Sequence, residues 1–547
     1  MFSKNSLKFF IIFVFLISWS NLLPELSVFA KDSWKNLSPG IDFQVFQLPD
    51  PNQVFVARME RENENVTLES GLALDRLAYG RETVRDIAKR YDDSLNFWGQ
   101  EWGWRSKVVV AINGYYFDPE TGTPWRGQIQ SGWYIKRFDN FQNGSGLVWK
   151  FDRDIFVGGC IFHPPSKQTI SFENNQFLNF NGINQPREEN QLIIYTSHYS
   201  DTTGTDNNGV EVLVEMSHPL YLGTNSVPNI GTIKDIFDQE GSSFIPFDAV
   251  ILSASGTARI ELLKNIEIGQ KIKISQRVVH YQYDCRTPNS NDWSNIYTGI
   301  GGDFVFLKEG ETQPFDIGAA NVRAPRTAVA YNDKYIYFIV VDGHNPGVSV
   351  GMSMWELAKF SKSYLNAEYG ISEDSGGSST MVVKGKVVNN TFCNFNDCAA
   401  LLAEKPSQTS VITDTLPQEF NSTPALTTGY QTISESLVGN ILMMVNVYPP
   451  IKSKTFEVGD TTNTKTPTEL FLGPGMNYPS RTIAPRFSNI KIIAPSKDIN
   501  GIYSQNSFWW YVEYNGIEGW VEENNLFDGV QPTYFTFKPF DYDLKKR

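Results

Sequence analysis

Residues 371–390 read ISEDSGGSSTMVVKGKVVNN. The stretch predicts a short strand ending at Asp374, a Gly/Ser loop from Ser375 to Thr380, and a hairpin turning at Lys384-Gly385-Lys386. A carboxylate at a strand end, followed by Gly376 and Gly377, lets backbone N–H groups approach a charged, hydroxyl-rich ligand. Ser378 and Ser379 add hydroxyl donors to the same loop.

Immediately upstream, Ser353 with Glu356 three residues later reads as a capping box. Leu357, Phe360, Tyr364 and Leu365 then form one apolar helical face up to Gly370. This helix joins a strand ending at Asp342 to the strand ending at Asp374, a β-α-β unit whose two strands run parallel. Both carboxylates are therefore expected at one rim.

Two further stretches point to that rim. VVVAINGYYFD (108–118) is an apolar strand that stops at Asn113-Gly114 and is followed by Tyr115, Tyr116 and Phe117. VRAPRTAVAYNDKYIYFIVVDGH (322–344) sets Arg323 and Arg326 about a proline, continues with Thr327, and ends at Asp342-Gly343-His344.

The 547 residues exceed one ordinary domain, and a hydrophobic fraction of 41% is ample for packed cores. A formal net charge of −13 argues against a nucleic-acid partner, because phosphate binding needs clustered Lys and Arg. Lys4 and Lys8 precede an apolar run from Phe9 to Trp19, and Val28-Phe29-Ala30 has the small residues of a cleavage site. Residues 1–30 are therefore expected to be a signal peptide, with no transmembrane span after its removal. Four cysteines fit an oxidising compartment: Cys393 and Cys398 can close a small loop, leaving Cys160 and Cys285, although three pairings stay open. Zinc is disfavoured, since no Cys-x-x-Cys and no nearby His partner occurs.

The rest reads as an α+β fold with β-rich mixed sheets. Residues 31–79 predict short strands packed on the main domain, and 82–97 an amphipathic helix through Val84, Ile87, Ala88, Tyr91 and Leu95. Strands are expected at 192–199, 211–216, 249–255 and 271–281, the last two separated by a turn near Gly269-Gln270. Residues 399–435 read as a surface insertion, 437–447 as the strand closing a domain over 80–447, 448–530 as a small β-barrel, and 531–547 as a tail.

Several motifs together resemble the phosphodiester glycosidase family: AINGYYF (111–117), YTSHYSDTTGTDNNGVEVLV (195–214), LSASGTARIELL (252–263), GIGGDFVFLKEG (299–310), RAPRTAVA (323–330), VDGH (341–344), GMSMWELAKF (351–360) and EDSGGSSTM (373–381). Their order follows that family from about residue 80 to 446. The pattern departs at Ser372 and Ser375 within the family's Asn-Leu-Asp-Gly-Gly-Gly-Ser, at His344 where the family has arginine, and at Glu435-Ser436 where an arginine commonly stands. The C-terminal part resembles bacterial SH3-like domains through Leu472-Gly473-Pro474-Gly475, Tyr478-Pro479, Trp509-Trp510 and Gly516-Ile517-Glu518-Gly519-Trp520-Val521.

The resemblance implies a secreted or periplasmic, envelope-associated hydrolase that cleaves a sugar-1-phosphodiester in a polysaccharide such as an exopolysaccharide. Its SH3-like module would hold a cell-wall polymer. Asp374 is then the carboxylate for the anomeric centre and Asp342 the second, orienting water or sugar hydroxyls. Arg326, then Arg323, would bind phosphate through the guanidinium fork, helped by Thr327, Ser378, Ser379 and the Gly376-Gly377 backbone. Asn113 would hold sugar hydroxyls, with Tyr115 or Tyr116 as a stacking face, and His344 would supply a switchable charge. No cofactor is required by this scheme, and a calcium or magnesium ion would fall on Asp374 or Asp342. The alternative is a non-catalytic polysaccharide-binding protein on the same fold.

Overall fold

Alternating Val, Ile and aromatic positions become the strands of several stacked sheets in a computed structural model that describes residues 33–77, 80–92, 95–99, 101–138, 145–222, 229–280, 292–315, 318–392 and 435–528. The sheet that positions the site has eight strands. Their spatial order is Lys35–Ser38, Ile41–Leu48, Asn52–Glu60, Tyr335–Val341, Arg326–Tyr331, Tyr369–Ser372, Val305–Lys308 and Glu311–Thr312. Every pairing in it is antiparallel.

Both faces of this sheet are covered, which explains runs such as Tyr335–Val341 that are apolar at nearly every position. Val54, Val56, Ile339 and Val341 meet Met354, Leu357 and Phe360 of the helix Met354–Leu365. Phe55, Ala57, Phe338 and Val340 face a second sheet. That sheet contains Lys386–Val387, Met381–Val383, Glu101–Asn113, Asn440–Tyr448 and Val66–Leu72, with Leu95–Trp98 paired to Glu101–Asn113. Its outer face, through Ile441, Met443 and Val445, receives Val84, Ile87 and Tyr91 of the helix Val84–Tyr91. The order of layers is helix, sheet, sheet, helix.

A third, eight-stranded sheet spans the middle of the chain, including Gly209–Met216, Asn229–Asp238 and Ala249–Ser255. The C-terminal unit is a seven-stranded antiparallel sheet built from Thr461–Asn463 to Ile517–Glu522 around Leu470, Ile490, Trp510, Val512 and Val521. Its opposite aromatic face, Trp509 and Trp520, shares one apolar cluster with Trp102 and Phe247.

Four expectations change. The two strands of the β-α-β unit do run parallel, but Arg326–Tyr331 lies between them, antiparallel to each. The last strand ends at Ser372, two residues short of Asp374, because Asp374 N–H leaves the sheet to reach Gly114 O at 3.0 Å. The helix expected over 82–97 covers only Val84–Tyr91, and Leu95–Trp98 is a strand, since pairing with Glu101–Asn113 outweighs local spacing. Residues 256–263 form a helix where only a turn was expected. The signal peptide, Cys285, Cys393, Cys398, nearly all of the 399–435 insertion and the 531–547 tail lie outside the described residues, whereas Cys160 is buried. No helix among the described residues is long and apolar enough to cross a membrane.

Candidate active site

The end of Glu101–Asn113 in the second sheet meets the rim of the first, where Tyr369–Ser372 ends and Arg326–Tyr331 begins. Asn113 ties them. Its Oδ1 accepts from Thr327 Oγ1 at 2.7 Å and from Thr380 N–H at 3.1 Å, while its Nδ2 donates to the Asp374 carbonyl at 2.8 Å. Both side chains are fully enclosed, so Asn113 and Thr327 orient the rim and do not face a ligand.

Asp374 stands in a cleft of about 290 Å³ whose walls include Arg81, Tyr116, Trp125, Ser375, Gly377, Ser378 and Ser436. Its Oδ1 accepts from Ser375 N–H at 2.8 Å and its Oδ2 from Ser378 Oγ at 2.7 Å. The intervening Gly376–Ser378 turn needs a left-handed residue, and Gly376 supplies it at φ +76°. A side chain at position 377 would sit 3.2 Å from the Phe392 carbonyl and 3.3 Å from Ser436 Oγ, so Gly377 keeps that wall thin. Ser379 faces inward, with its carbonyl taking Asn389 Nδ2 at 2.9 Å.

The other expected site residues are committed elsewhere. The Asp342 carboxylate, 2% exposed, accepts from Asn390 N–H at 3.1 Å, Asn390 Nδ2 at 2.8 Å and Asn389 Nδ2 at 3.2 Å. Burial pushes its carboxyl up and those donors oppose the shift. Asp342 thus holds the segment after the hairpin and does not line the cleft. The Arg326 guanidinium donates to three backbone carbonyls: Met352 at 2.8 Å, Val322 at 2.6 Å and Ala319 at 3.3 Å. Arg323 is exposed and ion-paired with Asp50 and Glu356. His344 is exposed at φ +56°, edge-on to Phe392 at 5.3 Å. Tyr115 is buried, and its hydroxyl accepts from Arg126 Nε at 3.0 Å. Glu435 pairs with Arg85 at 2.8 Å.

Three features were not legible beforehand. One is Trp125, 56% exposed, which stacks at 6.0 Å and 27° on Tyr116; of the two tyrosines expected as a stacking face, Tyr116 lines the cleft and Tyr115 does not. The only sequence signal of Trp125 was an aromatic in a turn-rich stretch. Glu373 is fully enclosed, and among the described residues neither of its carboxyl oxygens has a hydrogen-bond partner. Burial first, then the charges of Asp303 and Asp374, push it well above the usual carboxylate range, which favours its protonated form. Asp303 is itself pushed up by burial and opposed by Arg126 and Arg326. Its signal was Gly301-Gly302-Asp303, a carboxylate directly after glycines at a strand end. Among the described residues no group of three or more His, Cys, Asp or Glu is arranged to hold a metal ion.

A carboxylate at the base of a cleft, backed by the enclosed Glu373 and fronted by stacked aromatic rings, is a site suited to carbohydrate chemistry. Residues 231–404 match the family model described as phosphodiester glycosidase, and Asp374 with its loop falls inside the matched stretch. No curated protein matches the chain. Three solved structures are similar. A hypothetical protein from Synechocystis has a TM-score of 0.45 at 15% identity, over 76% of this chain and 64% of its own. A candidate exported protein from Burkholderia pseudomallei has a TM-score of 0.39 at 16% identity, over 72% and 74%. The catalytic domain of zebrafish N-acetylglucosamine-1-phosphodiester alpha-N-acetylglucosaminidase, auto-inhibited by its pro-peptide, has a TM-score of 0.33 at 13% identity, over 75% and 85%.

Proposed function

We propose that the Asp374 cleft hydrolyses the bond between a sugar's anomeric carbon and a phosphodiester oxygen, in an exported polysaccharide or glycoconjugate. The observation that carries this reading is the Asp374 carboxylate, held by Ser375 N–H and Ser378 Oγ and overlooked by the Tyr116–Trp125 stack, inside the family-matched residues. Breaking the anomeric C–O bond builds positive charge on the sugar, and a carboxylate supports it as nucleophile or as base for water. The departing phosphate monoester has a second pKa near 6 and leaves without a strong acid. Arg81 is the cation that lines the cleft beside it. Asp342 and Asn113 hold the rim in shape. The C-terminal unit is proposed as an SH3-like module that retains the protein on a cell-wall or exopolysaccharide polymer, after export directed by residues 1–30.

One observation favours a second reading. Arg326 spends its Nε and Nη2 donors on backbone carbonyls, Asp342 is enclosed among Asn389 and Asn390, and Arg323 is ion-paired at the surface, so few cations remain for phosphate. A non-catalytic polysaccharide-binding protein on the same fold fits that arrangement.

The test is sugar release from a panel of sugar-1-phosphodiesters by purified residues 31–547 and by Asp374→Asn. Turnover by the parent, with a loss of about 100-fold or more in the variant, supports the hydrolase. Repeating the assay with a chelator, then with calcium or magnesium restored, tests for a divalent cation at Asp374. A folded, inactive parent that still binds polysaccharide supports the second reading.

A further inference from the structure

A groove of about 510 Å³ runs between the middle eight-stranded sheet and the C-terminal unit, and shares no lining residue with the Asp374 cleft. Alternation along Gly209–Met216 sends Val210, Val212, Val214 and Met216 into the core and turns Leu213 and Glu215 outward as one wall. Lys234, on the paired strand, stands 3.1 Å from Glu215. The opposite wall is the C-terminal hairpin, with Tyr511 and Trp520 tilted together at 5.3 Å and Arg481 and Glu518 toward solvent. Trp520 also belongs to the cluster containing Trp102 and Phe247, so a common apolar core fixes the two walls. The groove is therefore preformed, at the kind of junction where ligand sites concentrate.

Its charges decide the ligand. The cations are Lys234, Arg481 and Lys497, and the anions are Glu215, Asp235, Asp248 and Glu518. Lys497 lies 3.0 Å from Glu215 and also pairs with Asp248, while Glu518 takes the Tyr511 hydroxyl at 2.8 Å. An ionic ligand of either sign meets repulsion as well as attraction here. Hydroxyl groups, which donate and accept, match both kinds of wall, because a paired carboxylate retains lone pairs and a paired ammonium retains N–H groups. The half-buried Tyr511, Phe237 and Phe471 add the flat apolar surface that sugar C–H groups require.

We propose that this groove binds a segment of uncharged oligosaccharide. The proposal deepens the polymer-holding role given above to the C-terminal unit and does not depend on turnover at Asp374. The test is calorimetric titration of full-length mature protein carrying Asp374→Asn with glucose and N-acetylglucosamine hexamers, with a galacturonic acid hexamer as the anionic control. Binding of a neutral hexamer is expected, weakened about tenfold by Tyr511→Ala or by Arg481→Ala and unchanged by Phe177→Ala, an exposed residue that lines neither the groove nor the cleft. Arg481 is exposed, so that variant keeps its fold even if Tyr511→Ala does not. The proposal is overturned if no neutral hexamer binds, if only the anionic one does, or if Trp125→Ala abolishes binding while Arg481→Ala leaves it intact. Parallel turnover of a small sugar-1-phosphodiester by the parent judges the Asp374 cleft separately: groove binding without turnover keeps this inference and removes the other.

Discussion

Asn113 Nδ2 donates across 2.8 Å to the backbone carbonyl of Asp374, linking residues at the ends of two different sheets. The same side chain accepts from Thr327 and Thr380 and donates to the Gly114 carbonyl at 3.3 Å, so its four bonds fix where the Asp374 loop leaves the rim.

Replacing Asn113 with alanine leaves the Thr327 hydroxyl and Thr380 N–H enclosed without their acceptor. The expected cost is about 2 to 4 kcal/mol in urea-induced unfolding. A change below about 0.5 kcal/mol contradicts the tie described here.

Glu69 is wholly buried, accepts from Ser131 and the Tyr297 hydroxyl, and is pushed up to about 8 by burial. Between the usual carboxylate range and that value the folded chain retains a proton that the unfolded chain has lost. Stability is therefore level in acid and falls as pH rises toward about 8, by a few kcal/mol. Glu69→Gln should flatten this slope in melting temperatures recorded across that window. An unchanged slope places its origin in another group.

Glu373 presents a different signature. As an enclosed acid whose protonated form is favoured, it should give an infrared carboxyl band at neutral pH that Glu373→Gln removes while the fold persists. If the variant spectrum matches that of the parent, Glu373 is ionised and a partner must be sought.

Trp125 is exposed and stacked on Tyr116, so its removal costs the fold little. Trp125→Ala should leave the unfolding midpoint nearly unchanged while raising KM for a sugar substrate about tenfold. Equal KM values would exclude the stack from substrate binding.

Expression from residue 80 onward tests the role of the first strands. Such a protein lacks Asn52–Glu60 and Val66–Leu72, which bare Tyr335–Val341 in one sheet and Asn440–Tyr448 in the other. Aggregation is expected, monitored by light scattering. A monomeric, cooperatively folding fragment would refute it.

Local signals carried much of this architecture. The Ser353–Glu356 capping box is present as read, and the hairpin turns at Lys384-Gly385, both at positive φ. Asp374 and Ser378 do stand together in a cleft, although a carboxylate before a Gly/Ser loop is by itself a common turn and only the neighbouring strand ends raised its weight. Arg326 and Thr327 show where such reasoning stops: residue type says that a group can bind phosphate, but not that a carbonyl or an amide already occupies it. Leu95 fitted a helical face, yet its pairing with Arg105 is a contact that no window around residue 90 contains. Glu373 was hidden for a related reason, since the upward shift of its carboxyl comes from burial and from Asp303, seventy positions away.

The first strands also set a schedule. Glu60 pairs with Tyr335 and Val66 with Asn446, so neither sheet of the sandwich closes until most of the chain exists. Pairings of such long sequence separation form late and slowly. Until those late residues are made, Val66–Leu72 lacks its strand partner and Asn52–Glu60 keeps one edge open, so the growing chain carries bare strand edges for most of its synthesis.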